Sequence, residues 1–105
     1  MTSQFDIILT PEAQADLEGI TDNRTYAAIE SKIDELATEP DKRGKALSGS
    51  LSDYRVVRAA GQRYRVVYQV AMLEEVVTVV VVGIRKEGDK RDAYRVASKR
   101  RAGEK

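Results

Sequence analysis

Arg63-Tyr64-Arg65-Val66-Val67-Tyr68-Gln69-Val70, followed past Met72-Leu73-Glu74 by the valine-rich run Val76–Ile84 and then Arg85, decides the fold of this chain. The first run alternates with period two. Tyr64, Val66, Tyr68 and Val70 fall on one face and Arg63, Arg65, Val67 and Gln69 on the other. The second run is apolar on both faces, which marks a central strand, and Met72–Glu74 is the tip of the hairpin joining the two. The tyrosine face is the more apolar, so it is expected to pack on helices. Arg63, Arg65 and Gln69 are then expected to line an uncovered face.

Working outward, Tyr54–Ala59 reads as a further strand, closed by a turn at Ala60-Gly61-Gln62. On a regular strand Arg55 and Arg58 lie on opposite faces; a bulge or a bend near Ala59 would bring them to one side. Asp41–Asp53 is a polar connection with Gly44, Ser48, Gly49 and Ser50 as turn formers. Upstream, Phe5, Ile7 and Leu9 alternate as a short first strand. Thr10-Pro11 then supplies an N-cap and a first-turn proline for a helix to about Gly19. A second helix starts after Asp22 or Asn23, carries Tyr26, Ile29, Ile33, Leu36 and Ala37 at helical spacing, and ends at Pro40. Downstream of Gly88-Asp89, Ala93, Val96 and Ala97 share one side of a short C-terminal helix within Lys90–Arg101. The expectation is an α+β domain over 1–101. An N-terminal strand and an α-hairpin pack on a small, mainly antiparallel four-stranded sheet, and residues 102–105 form a frayed end.

With 105 residues the chain holds one modest core. It has no cysteine, which excludes disulfides and thiolate zinc sites, and no histidine, which removes the usual general base and the commonest metal ligand. No cofactor or metal is expected. Met1–Leu9 contains an acid and lacks a basic start, and Val79–Val82 is far too short to span a bilayer, so a cytoplasmic protein with no membrane partner is expected. The formal net charge of +1 conceals an asymmetry. Residues 1–53 carry five basic against eleven acidic side chains (−6), and residues 54–105 carry thirteen against six (+7). A basic half of this kind suits a polyanion.

Lys45-Ala46-Leu47-Ser48-Gly49, Tyr54-Arg55, Gly61, Tyr64-Arg65-Val66-Val67-Tyr68, Gly83-Ile84-Arg85 and the later Tyr94 together resemble the RelE/ParE superfamily of toxins from bacterial type II toxin–antitoxin pairs. The similarity is greatest to the RelE branch, whose members cut messenger RNA in the ribosomal A site. The resemblance implies a metal-independent endoribonuclease with Arg65, Arg85 and Tyr94 as catalytic residues, together with Arg55 and Arg58 from the family's basic pair. That pair is usually spaced by one residue, whereas Val56-Val57 separates the two arginines here, and the segment from Arg85 to Tyr94 is longer than in the shortest relatives. Lys45, Arg63, Lys86, Lys90 and Arg91 are the expected RNA- and ribosome-binding residues. The implied partners are a RelB-like antitoxin, a ribosome with mRNA in its A site, and operator DNA reached only through the antitoxin.

The chemistry suits these residues. RNA carries its own nucleophile, the 2′-hydroxyl, so cleavage needs in-line geometry, positive charge on the phosphorane, a base and an acid. Guanidinium forks match phosphate oxygens and stay protonated. No general base is evident, since Glu87 reads as solvated and an arginine is too basic for the role. Two other readings stand beside this one: a ParE-type inhibitor of DNA gyrase on the same fold, and a basic RNA-binding module without catalysis.

Overall fold

The structure is a computed structural model and describes residues 4–103. Its order is β1 (Asp6–Leu9), α1 (Pro11–Glu18), α2 (Asn23–Glu35), β2 (Lys45–Ala46), β3 (Arg55–Ala59), β4 (Tyr64–Ala71), β5 (Val76–Ile84) and α3 (Ala93–Ala102), with short 3-10 turns at Pro40–Lys42 and Gly49–Leu51. The five strands form one sheet in the order β1-β5-β4-β3-β2. β1 runs parallel to β5, and the remaining pairs are antiparallel.

Local sequence sets the helix boundaries. Thr10 Oγ1 accepts from Ala13 N–H at 3.1 Å and Pro11 opens α1. Asp22 Oδ2 accepts from Thr25 N–H at 2.9 Å and caps α2. The hairpin of α1 and α2 lies on one face of the sheet. There Ala13, Leu17, Ile29, Ile33 and Leu36 bury against Val57, Val66, Tyr68, Val77, Val79 and Val82. Each valine, leucine or isoleucine side chain so enclosed contributes roughly 1.5–3 kcal/mol relative to exposure. Tyr68, fully enclosed, places its Oη 2.8 Å from the Pro40 carbonyl and 2.9 Å from that of Arg43, tying the connection after α2 to the sheet.

Three expectations are corrected. First, the sheet has a fifth strand: Lys45 and Ala46, read as part of a polar connection, pair with Val56 and Arg55. Gly44 makes this turn possible, because at φ +59 a Cβ there would sit 2.1 Å from the Val56 carbonyl oxygen.

Second, the arginine face of β4 is only partly uncovered. α3 crosses it, seating Ala93 and Ala97 against Val67, Val81, Tyr54 and Val56 in a second apolar cluster. The two alanines let the helix approach closely, so a face with few apolar residues is still covered. Third, α2 ends at Glu35 with Leu36 as its cap, short of the stop expected at Pro40, which instead opens a 3-10 turn. The alternation along β5 is also broken. Val67 pairs with Val81 but Tyr68 with Val79, so Val80 is an extra residue in a β-bulge.

α3 ends at Ala102 and Gly103 caps it. Residues 104 and 105 lie outside the described residues.

Candidate basic cleft

The bulge at Val80 determines which side chains meet. Val77 and Val79 face the α-hairpin, and an uninterrupted alternation would send Arg85 the same way. Past the extra residue, Val82 faces the hairpin and Val81 faces α3. Gly83 and Arg85 therefore share the α3 face with Arg65, the register partner of Gly83 being Arg65 itself. Arg58 stands directly opposite Arg65 on β3, on this same face.

An open cleft of about 380 Å³ lies beside the unpaired part of the β3 edge. It is lined by Lys32, Lys45, Arg58, Arg65 and Tyr94, with Gly44, Val56 and Val57. Four cations line it, and among the described residues no carboxylate does. The turn before β4 orients two of them: the Gln62 carbonyl accepts from Arg65 Nη1, and Gln62 Oε1 accepts from Arg58 Nη1 at 3.3 Å. The guanidinium of Arg85 stacks over the Tyr94 ring, 4.4 Å from its centroid, and so abuts the aromatic wall of the cleft.

Asp92 organises the far side of that wall. It is 4% exposed and caps α3, its Oδ2 accepting from the N–H groups of Tyr94 at 3.1 Å and Arg95 at 3.3 Å. Its Oδ1 accepts from Arg85 Nη1 at 2.6 Å and from Lys86 N–H at 2.7 Å. Burial raises the Asp92 pKa, but the bonds from Arg85, Lys86 and Arg95 outweigh it and hold the carboxyl below its ordinary value. The Arg85 pKa is raised, chiefly by the bond to Asp92.

The remaining expected site residues are distributed differently. Arg55 points to the opposite face, where its Nε and Nη2 donate to the Arg43 carbonyl at 3.0 and 2.9 Å. The bend that would have brought it beside Arg58 is absent, because β3 pairs with β4 in unbroken register from Arg55 to Ala59. Arg63 is exposed in the turn, and its carbonyl accepts from Arg85 N–H at 2.9 Å. Lys86 is exposed and lies 3.8 Å from Asp89. Arg91 pairs with Asp89 at 3.1 Å, which draws the Asp89 pKa down to about 2. Lys90 and Arg91 line a separate groove of about 430 Å³ between α1, the β5 edge and α3.

Sequence reasoning missed Lys32, Gln62 and Asp92. Lys32 sits on a helix read only for its apolar stripe, and Gln62 was read only as a turn residue. Asp92 had a visible signal: an aspartate just before the Ala93/Val96/Ala97 pattern is a strong N-cap.

The five-stranded α+β scaffold has counterparts among known toxins. Residues 7–89 match the profile of the ParE toxin of the type II toxin–antitoxin system parDE, and the chain belongs to that family. It is similar to a chain of the toxin–antitoxin complex RelBE2 from Mycobacterium tuberculosis, at 26% identity with a TM-score of 0.71, over 81% of this chain and 95% of that one. Escherichia coli toxin RelE, in the free state of a mutant with two arginines replaced by alanine, aligns at 23% identity and TM-score 0.72, covering 92% and 97%. A chain of the chromosomal ParDE system of Pseudomonas aeruginosa aligns at 13% identity and TM-score 0.62, covering 75% and 94%. The last two likenesses are of fold alone. No curated protein matches the chain. Among the described residues no helix is long and apolar enough to cross a membrane.

Proposed function

We propose that this toxin is a ribosome-dependent endoribonuclease that cleaves mRNA in the ribosomal A site by attack of the RNA 2′-hydroxyl on the adjacent phosphate. The observation that carries this reading is the cleft itself, where Lys32, Lys45, Arg58 and Arg65 converge beside the Arg85–Tyr94 stack and, among the described residues, no carboxylate lines the cleft. Such a surface fits a phosphodiester bent around an aromatic ring. Arg65 and Arg85 stabilise charge on the equatorial oxygens of the phosphorane, since fixed guanidinium groups need no reorganisation as that charge develops. Arg58, Lys32 and Lys45 hold the flanking backbone, and Tyr94 supports a base. The ribosome supplies in-line orientation, which carries a large share of the barrier reduction available to such a reaction. Arg63, Lys86, Lys90 and Arg91 contribute general attraction to ribosomal RNA.

A RelB-like antitoxin is the proposed neutralising partner, supported by the RelBE2 and RelE–RelB complexes among the similar structures. Operator DNA is reached through it. The match to the ParE profile favours a second reading, inhibition of DNA gyrase without nuclease chemistry.

One experiment separates the two. In a reconstituted translation system, wild type is expected to produce codon-phased cuts in the message. Arg65→Ala and Arg85→Ala are expected to lower kcat by about 10²-fold or more, the usual scale for losing an electrostatic contact to the transition state. Growth arrest with an uncut message and impaired supercoiling would replace the nuclease reading with the gyrase one.

A further inference from the structure

We propose that Asp92 is the positioning residue of this site: it sets the Arg85 guanidinium against the Tyr94 ring and so presents the phosphate-binding edge of Arg85 to the cleft. The inference rests on the nuclease reading for what Arg85 does, and on geometry alone for how Arg85 is held.

Arginine side chains at the end of a strand ordinarily sample several rotamers, and immobilising one costs conformational entropy. Here the choice is made by a buried carboxylate. Asp92 Oδ1 takes Arg85 Nη1 at 2.6 Å, while Oδ2 fixes the first turn of α3 through the Tyr94 and Arg95 N–H groups. One side chain therefore holds both halves of the stack, the guanidinium and the helix turn that carries the ring. The two lie 4.4 Å apart. The Lys86 N–H bond at 2.7 Å fixes the chain immediately after Arg85 on the same oxygen.

Only one nitrogen of Arg85 is engaged by Asp92, and the side chain keeps 29% of its accessibility. Its other donors are left for an incoming oxyanion. A rigid fork with one prong anchored and another presented is suited to a phosphate whose charge grows during reaction. Asp92 itself is too enclosed to meet RNA, so it acts through Arg85 and Tyr94.

Capping and positioning can be separated by substitution. Asparagine and serine cap helices about as well as aspartate, but neither carries the charge that binds a guanidinium. Asp92→Asn is expected to keep the far-UV circular dichroism of α3 and a substrate KM within about twofold of wild type, with kcat lowered about 10- to 100-fold, the scale seen when a supporting shell is loosened. In the same protein the Arg85 Nε–Hε NMR resonance is expected to lose the upfield ring-current shift imposed by Tyr94. Should Asp92→Asn unfold α3, Asp92→Ser carries the same two readouts. Wild-type kcat in the charge-neutral variant, or an unmoved Arg85 resonance, would overturn the proposal. A wild type that cuts no message would overturn the nuclease reading instead, and the Arg85 resonance would still decide whether Asp92 positions it.

Discussion

Arg100 and Asp16, separated by 84 residues in sequence, meet in a two-pronged ion pair, Nη1 to Oδ2 at 2.8 Å and Nη2 to Oδ1 at 2.9 Å. The pair also serves the strand between them. Asp16 Oδ2 accepts from Val82 N–H at 3.0 Å and Arg100 Nη1 donates to the Val80 carbonyl at 2.9 Å. β1 ends opposite Val79, so these two side chains satisfy backbone groups that a longer β1 would have paired. They also pin α3 to α1. Arg100→Ala leaves the Asp16 carboxylate with only the Val82 N–H and takes its donor from the Val80 carbonyl, and is expected to lower stability by about 1–3 kcal/mol, between the exposed and buried limits for ion pairs. Urea denaturation checks the magnitude.

Arg58 and Arg65 are like charges placed directly across two strands. Like charges directly opposite one another destabilise a sheet. Arg58→Thr is therefore expected to raise the melting temperature slightly while lowering RNA cleavage. Added salt is expected to raise the melting temperature of wild type more than that of the variant. A variant that is both less stable and fully active would contradict this arrangement.

Much of this was legible in the sequence, and the failures share a physical character. Alternation in β4 correctly sorted Tyr64 and Tyr68 from Arg65, and Thr10-Pro11 and Asp22 marked helix starts through local capping chemistry, whereas α2 stops at Glu35, short of the proline expected to end it. What stayed hidden depends on residues distant in sequence. The seating of Ala93 on Val81 needs α3 to be docked. Alternation put Arg55 on the face opposite Arg58, but its partner, the Arg43 carbonyl twelve residues upstream, is visible only once the connection is folded. The bulge at Val80 has no signature within a run of valines whose two faces look alike.

Arg55 tests that distinction directly. Because its donors hold the Arg43 carbonyl from the side of the α-hairpin, Arg55→Ala is expected to cost about 1–3 kcal/mol of stability, the scale for losing charge-assisted hydrogen bonds. Well below its melting temperature the variant is expected to keep kcat within about threefold of wild type, a loss of under ~1 kcal/mol in transition-state stabilisation. Parallel melting and cleavage measurements would show whether the two properties separate in this way.

Acid should loosen the site through Asp92. Its folded pKa lies below the unfolded value of ~3.9, so its contribution to stability is present above that value and is lost as pH falls through the lower folded pKa. Asp89, at about 2, titrates across the same window, but its partners Lys86 and Arg91 are exposed, so its pairing is screened by salt. In high salt, wild type is expected to lose stability as pH falls below about 4 more steeply than Asp92→Asn. Equal slopes would remove Asp92 from the acid response.

Gly44 and Gly61 offer a paired control on the cleft's floor and on the turn beside it. Both have positive φ, +59 and +74, but a Cβ at Gly44 would collide with the Val56 carbonyl at 2.1 Å whereas one at Gly61 meets nothing within 4 Å. Gly61→Ala is expected to cost about 1 kcal/mol of backbone strain, and Gly44→Ala to cost more than that and to displace Lys45 from the cleft. Melting curves rank the two.

The extra residue in β5 makes the site a matter of parity. Deleting any one valine from Val79–Val82 would remove few atoms and leave the run as apolar as before, yet every side chain after the deletion would exchange faces. Arg85 would pass to the side of the α-hairpin, away from Arg65, Arg58 and Tyr94. A relative lacking that residue could keep the same strands, the same arginine and nearly the same composition while having no arginine stacked beside the cleft. For proteins of this architecture, an alignment gap inside the valine run therefore carries more functional information than a substitution in it.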